Sequence, residues 1–202
     1  MLLDGRPVIM RTIDRFRDTF PDIRVIVVLP RGQHDHWHDL CRQHGLGGAC
    51  QTAEGGDTRF HSVLNGLRAI PPGVTDALVG VHDGVRPFVS RETLIACYSE
   101  AARSGAAVPV TPVVETLRHI LPDGGSVTVP RDEYRLVQTP QVFRLGLLRQ
   151  AYAQPYRSLF TDDASVVEAL GGRVTLVEGN RDNIKLTTPA DLLLARGIMG
   201  AH

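Results

Sequence analysis

The sequence predicts an α/β fold, built on an open and largely parallel sheet from which a β-arm departs. Three observations carry this. Short β-branched runs alternate with segments of helical spacing. One such run, Asp76–Asp83, ends in polar residues, where parallel sheets collect ligands. From Val113 to Phe143 the helical period stops, and alternation around a "PDGG" turn takes its place.

The elements follow in order. Val8, Ile9, Ile13 and Phe16 recur at helical spacing, with Pro7 suited to the first turn. "IRVIVVLP" (Ile23–Pro30) reads as a buried parallel strand. "HDHWHDLCRQHG" reads as a polar helix ending at Gly45, and "DTRFHSVLNGLRAI" as a helix starting near Thr58. After the strand Asp76–Asp83, Ser90 is placed to cap a helix that Gly105 ends. "AAVPVTPVV" reads as a strand broken by Pro109 and Pro112. The arm spans about 112–138; it cannot bury both faces alone, so it is expected to dock on another subunit. Beyond it come a helix from Arg144, a helix capped near Thr161 and closed by Gly171-Gly172, and the strand "RVTLVEG". "NIKLTT" reads as a further strand, and Thr188, Pro189 and Asp191 open the last helix. We read residues 1–202 as one domain with an embedded arm.

Composition narrows the function. The 202 residues are 43% hydrophobic and 22% charged, with 22 basic and 22 acidic side chains. The absence of a basic excess disfavours a general nucleic-acid binder. No apolar run approaches a membrane span and no signal peptide is visible, so no membrane partner is expected. Cys41, Cys50 and Cys97 lack metal or redox spacing and read as free thiols of a reducing cytoplasm. Of the 22 basic residues, Lys185 is the one lysine. A chain that uses arginine everywhere else points to Lys185 as a place where a compact ammonium is needed.

Five segments carry candidate chemistry. "GGDTRFHSV" sets Gly55, Gly56 and Asp57 before a helix start, where backbone N–H groups can meet an anion or a base edge. "HDGVRPF" puts Asp83 and Gly84 at a strand's carboxyl end with Arg86 three residues on. The plain alternative there is an ion pair tying down a loop; the crevice position favours function. "QTPQVF" and "TDDAS" follow, although Thr161 can also simply cap its helix. "EGNRDNIKLTTPAD" holds Lys185 beside Asp182 and Asn183. The histidines at 34, 36, 38 and 44 lack an HExxH pattern and read as a solvated helix, so no protein metal site is expected. No GxSxG elbow is present.

Six stretches, "GGDTRFHSVLNGL", "HDGVRPF", "VVETL", "QTPQVF", "TDDASVVE" and "VEGNRDNIKLTTPADL", resemble in order the 2-C-methyl-D-erythritol 4-phosphate cytidylyltransferases of non-mevalonate isoprenoid synthesis. The resemblance implies a Rossmann-like nucleotidyltransferase that joins CTP to methylerythritol phosphate, with Mg2+ held mainly through the CTP phosphates. It also implies a homodimer formed through the arm. By motif, Gly55, Gly56, Asp57, Ser62 and Gly84 would face the nucleotide. Asp83, Arg86, Thr139 and Thr161 would face methylerythritol phosphate. Thr116 and Arg131 would reach the partner subunit's phosphate site, and Lys185 would grip or position the phosphate. Glu115 departs mildly from the family's usual Asp. Ribitol 5-phosphate cytidylyltransferases share the "RP" and "TPQ" motifs and remain the alternative, as does an inactive nucleotidyltransferase-like dimer. Family members open with a strand and a glycine-rich triphosphate loop. "LLDGRPVIMRTI" matches the segment just after that loop, which implies weak CTP turnover unless other arginines substitute.

Overall fold

The computed structural model describes residues 1–46 and 50–200. It opens with a tight hairpin, β1 (Leu2–Leu3) and β2 (Arg6–Pro7), that the sequence pattern did not announce. Asp4 and Gly5 turn it with φ of 45° and 75°, the left-handed pair that matches strand twist. Helix α1 (Val8–Thr19) follows, burying Val8 against Leu3 and Leu186, Met10 and Ile13 with Val27 and Trp37, and Phe16 with Val89 and Leu94. β3 (Val25–Leu29) and β4 (Cys50–Glu54) pair in parallel, with α2 (His34–Gln43) as their crossover. The next turn leads into α3 (Arg59–Arg68), which Thr58 caps by accepting from the His61 N–H.

The principal sheet comprises β5 (Leu78–Val81), β6 (Ala106–Pro112), β9 (Arg135–Val137), β10 (Gln141–Arg144) and β11 (Thr175–Glu178). Its path runs β11-β6-β10-β5, and β9 also pairs with β6. The expectation of a mostly parallel sheet needs correction here: β11 runs parallel to β6, but β10 is antiparallel to both β5 and β6, and β9 is antiparallel to β6. The cause is the arm. The chain returns from it without a crossover helix, and a strand that comes back that way must run antiparallel. The α/β class stands, with a mixed sheet.

Helices clothe this sheet. α4 (Arg91–Ser104) is capped by Ser90 and ended by Gly105 at φ 96°, as its sequence signals foretold. α5 (Leu145–Tyr152) and α6 (Asp163–Ala169) pack together over the Phe60, Phe143, Leu148, Tyr152 and Val167 cluster. Complete burial of a ring such as Phe143 contributes roughly 1.5–3 kcal/mol relative to leaving it exposed. α7 (Pro189–Gly200) lies on β1, closing over Leu3, Val8 and Leu186.

Three further expectations change. Pro109 and Pro112 do not break β6, which is one strand from Ala106 to Pro112. The Pro109 carbonyl still accepts from the Gln138 N–H at the end of the β9 ladder, where its missing donor has no ladder to serve. Asp162, rather than Thr161, caps α6, through a reciprocal capping box with Ser165. "NIKLTT" is an extended segment outside the sheet, held at Leu186, whose N–H donates to the Val85 carbonyl. The arm itself is the hairpin of β7 (Leu117–Ile120) and β8 (Ser126–Val129) followed by a short 3-10 turn at Arg131–Glu133. Gln141–Arg144 belongs to the sheet proper.

Candidate active site

The carboxyl end of β5 is where the chemistry gathers. Asp83 leaves that strand and its Oδ2 accepts from Arg86 Nε at 3.0 Å. The same oxygen lies 3.3 Å from Lys185 Nζ. Burial disfavours the Asp83 charge, but the Arg86 hydrogen bond and the nearby Lys185 outweigh it and hold the carboxyl below its ordinary range. Asp83 and Arg86 are largely buried, whereas the Lys185 side chain is 48% exposed. The cluster therefore presents a cation to solvent from a fixed carboxylate.

Backbone and side-chain bonds fix this geometry from behind. The Asp83 N–H donates to Thr139 Oγ1 at 3.1 Å. His82 Nε2 lies 3.0 Å from the Arg86 carbonyl, which can only accept, so Nε2 carries the proton. Nδ1 is then free to accept from the Thr139 hydroxyl at 3.0 Å. Burial pushes the His82 pKa down to about 4, leaving the ring neutral near pH 7. Arg86 Nη1 donates to the Asn183 carbonyl at 2.7 Å, and Asn183 Nδ2 donates to the Thr139 carbonyl at 2.8 Å. Sequence reading named Thr139 but missed His82 and Asn183. Both stood inside quoted motifs; what hid them is that their partners lie 57 and 44 residues away.

The glycine turn forms a second group. The Gly55 N–H donates to the Leu29 carbonyl at 2.7 Å, fixing the turn to the end of β3. The Gly56 N–H donates to Ser62 Oγ at 3.1 Å. A Cβ on Gly56 would stand 2.4 Å from the His61 Cβ, so the turn closes only around glycine. Asp57 is exposed at its tip. Ser62, Asp83, Gly84 and Arg59 line one cleft between β3 and β5 over α1, whose walls are otherwise mostly apolar, with Ile9, Ile13, Phe16, Val27 and Val79 among them. Gly84 packs close to Ile9, and its carbonyl accepts from Thr12 Oγ1 at 3.0 Å.

A match to the family model of 2-C-methyl-D-erythritol 4-phosphate cytidylyltransferase covers residues 1–201. The chain belongs to this cytidylyltransferase family. It is 55% identical over 191 residues to the 2-C-methyl-D-erythritol 4-phosphate cytidylyltransferase of Phocaeicola vulgatus, a match covering 95% of this chain and 85% of that one. A relative of the same name from Bacteroides fragilis is 53% identical over 197 residues, 98% of this chain and 88% of its own. Among solved structures, the Thermus thermophilus enzyme of that name superposes with a TM-score of 0.80 at 39% identity, covering 98% of this chain and 92% of that one. The 4-diphosphocytidyl-2C-methyl-D-erythritol synthase of Anaerococcus prevotii does so at 0.86 and 29%, covering 99% and 92%.

Within this cytidylyltransferase fold the motif residues divide into groups. Asp83, Arg86, Lys185 and Thr139 meet in one bonded network. Gly55, Gly56, Asp57 and Ser62 share one turn. Thr161 is exposed just before α6. Thr116 and Arg131 stand exposed on the arm, Arg131 bonded to the Val114 carbonyl, and among the described residues neither bonds to the Asp83 network.

Proposed function

We propose that the Asp83 network and the glycine turn are the two halves of the site at which this cytidylyltransferase joins CTP to 2-C-methyl-D-erythritol 4-phosphate. One observation carries the assignment. The chain's one lysine is drawn to Asp83 at 3.3 Å, and Arg86 binds the same carboxylate oxygen at 3.0 Å. Such a cluster suits a polyhydroxy phosphate: the carboxylate accepts hydroxyl protons, and the half-exposed ammonium meets the phosphate as a point charge. Thr139 acts from behind, since its hydroxyl already accepts from Asp83 N–H and donates to His82. Its role is to hold the Asp83 backbone in place.

The chemistry asks for positioning more than for a base. A phosphate monoester loses its second proton with a pKa near about 6, so at neutral pH it is already a nucleophile. An oxygen of that phosphate attacks the α-phosphorus of CTP, the bond to the β-phosphate breaks, and pyrophosphate departs. Holding two polyanions in line and neutralising charge at the α-phosphate are the tasks. Gly55, Gly56, Asp57 and Ser62 supply the turn for cytidine, with Gly84 at the neighbouring strand end and Thr161 near the methylerythritol side. Mg2+ fits as an ion carried mainly by the CTP phosphates, with Asp83 Oδ1, the oxygen neither cation takes, as the protein donor of suitable chemistry. Bound there, the ion supplies charge neutralisation.

The arm supports a homodimer. Ile120 and Val127 are exposed along it and Tyr134 and Leu136 at its return into β9, Ile120 at 66%, a density of open apolar side chains that a partner subunit would cover. In that dimer Thr116 and Arg131 would reach the other subunit's phosphate. Three free thiols fit a reducing cytoplasm, and among the described residues no helix is long and apolar enough to cross a membrane.

Pyrophosphate release with CTP and methylerythritol phosphate, measured against CTP and ribitol 5-phosphate, tests the reading. Release with the first pair at least about tenfold faster supports it. Equal or reversed rates favour the ribitol enzyme, and a stable dimer with no release favours a non-catalytic role.

A further inference from the structure

The cleft wall carries a charged group that neither the motifs nor the Asp83 network accounts for. Arg59 opens α3, three residues beyond Gly56, and its side chain is 36% exposed. Its Nη2 donates to Asp163 Oδ2 at 2.5 Å. Asp163 opens α6, two residues beyond Thr161, and its side chain is wholly buried. The other carboxylate oxygen, Oδ1, accepts from Tyr152 Oη at 2.6 Å. Tyr152 in turn stacks on Phe60, the neighbour of Arg59, with ring centroids 4.7 Å apart.

This is a costly device for a simple tether. A wholly buried carboxylate loses its hydration, and its two partners here replace only part of that. An apolar contact between α3 and α6 would join them at less expense. What the arrangement does achieve is a fixed guanidinium. Burial opposes the charge on Arg59, but the Asp163 hydrogen bond and charge outweigh it, and Asp83 across the cleft adds to the effect. The guanidinium remains a cation with one edge anchored. Of its five N–H donors, one is taken by Asp163, and among the described residues the others make no hydrogen bond. The surroundings add a geometric reason. The anchor joins the loop carrying Gly55–Asp57 to the loop carrying Thr161, the two loops assigned to different substrates. Asp162, next to Asp163, accepts from Gln141 Nε2 at 2.8 Å, so the second loop is itself tied to β10.

We propose that Arg59 binds a phosphate oxyanion of the bound substrates, and that Asp163 and Tyr152 are positioning residues that aim and hold its guanidinium. This rests on the reading of the cleft as the cytidylyltransferase site. A planar fork anchored on one edge offers its other edge to a phosphate in a two-bond contact that an ammonium cannot copy.

The test is calorimetric titration of the purified chain with CTP, cytidine, methylerythritol phosphate and inorganic phosphate, alongside steady-state kinetics and thermal melts. Arg59→Lys should weaken binding of CTP or of methylerythritol phosphate about tenfold or more while leaving cytidine within about twofold; the arm that weakens names the phosphate involved. Tyr152→Phe keeps the buried ring and removes the hydroxyl. It should raise KM for the same substrate severalfold, with a smaller change in kcat. A melting temperature that falls in both variants with every affinity and KM unchanged would overturn the proposal and leave a structural tether. Equal losses for CTP and cytidine would overturn it as well. A wild-type chain that binds neither CTP nor methylerythritol phosphate would instead sink the functional reading, and this inference with it.

Discussion

Replacing Asp83 by asparagine separates the electrostatic role of that residue from its shape. The amide keeps the volume and one acceptor oxygen but removes the charge between Arg86 and Lys185. Hydrogen bonds to charged groups contribute about 1.5–3 kcal/mol each. The Arg86 bond at 3.0 Å lies among groups no more than 17% exposed and keeps most of that. The Lys185 contact, at 3.3 Å and with the lysine 48% exposed, is screened and adds little. A net loss of about 2 kcal/mol at pH 7 follows. With an m-value of about 2 kcal/mol/M, urea unfolding should shift its midpoint down by about 1 M. The pH dependence has a definite sign. The folded Asp83 carboxyl titrates below its unfolded value, near about 3.9, so its stabilisation is present above that value and disappears as pH falls through the folded one. The gap between wild type and Asp83→Asn should therefore be constant from about pH 5 to 8 and close below about pH 4. His82, whose pKa is pushed down to about 4, costs both proteins stability as pH falls from about 6.5; because the Asp83 charge itself raises the His82 pKa, the two costs match only above about pH 5, and His82→Gln in both backgrounds isolates Asp83 below it. The assay is urea unfolding followed by circular dichroism at pH 7, 5 and 3.5, with kcat/KM for methylerythritol phosphate measured at pH 7 and expected to fall about a hundredfold. Equal midpoints at pH 7, or a gap that widens in acid, would refute the reasoning.

Other perturbations reach the remaining parts of the site. Lys185→Arg keeps the charge but replaces a compact ammonium with a planar fork, and turnover should fall substantially; full retained activity would remove Lys185 from the mechanism. Gly56→Ala puts a Cβ 2.4 Å from the His61 Cβ, so the turn must open and lose the Gly56 N–H bond to Ser62. KM for CTP should rise about tenfold, whereas Gly73→Ala, with nothing within 4 Å of the added Cβ, should leave kinetics and melting unchanged. Ile120→Asp combined with Leu136→Asp charges exposed apolar positions of the arm and of β9 where the arm rejoins the sheet, and light scattering after size exclusion should show a monomer with unaltered helical content. A dimer that survives both changes would move the interface elsewhere.

Local chemistry made most of the elements legible. Ser90 and Gly105 are a cap and a stop because a hydroxyl satisfies a free N–H and glycine accepts φ of 96°, and both act on their near neighbours alone. The same holds for Thr58 before α3. What sequence could not give was the pairing of strands. Gln141–Phe143 reads as the tail of the alternating arm segment, and only the route back from the arm makes Gln141–Arg144 a strand running antiparallel between β5 and β6. Pro109 looked like a breaker because a proline's missing donor matters only on the side where a ladder continues, and sequence does not say which side that is.

The site shows the same division. Asp83 and Arg86 could be joined on paper because they are three residues apart. Lys185 could be suspected from its rarity, but the contact that gives the suspicion physical content crosses 102 positions, bringing its Nζ to 3.3 Å from Asp83. Thr139 was expected to face methylerythritol phosphate, yet its hydroxyl faces inward, accepting from Asp83 and donating to His82. A motif records that a residue type is needed at a position. Whether that residue touches the substrate or holds the one that does is decided by where its donors and acceptors go, and that is a property of the fold.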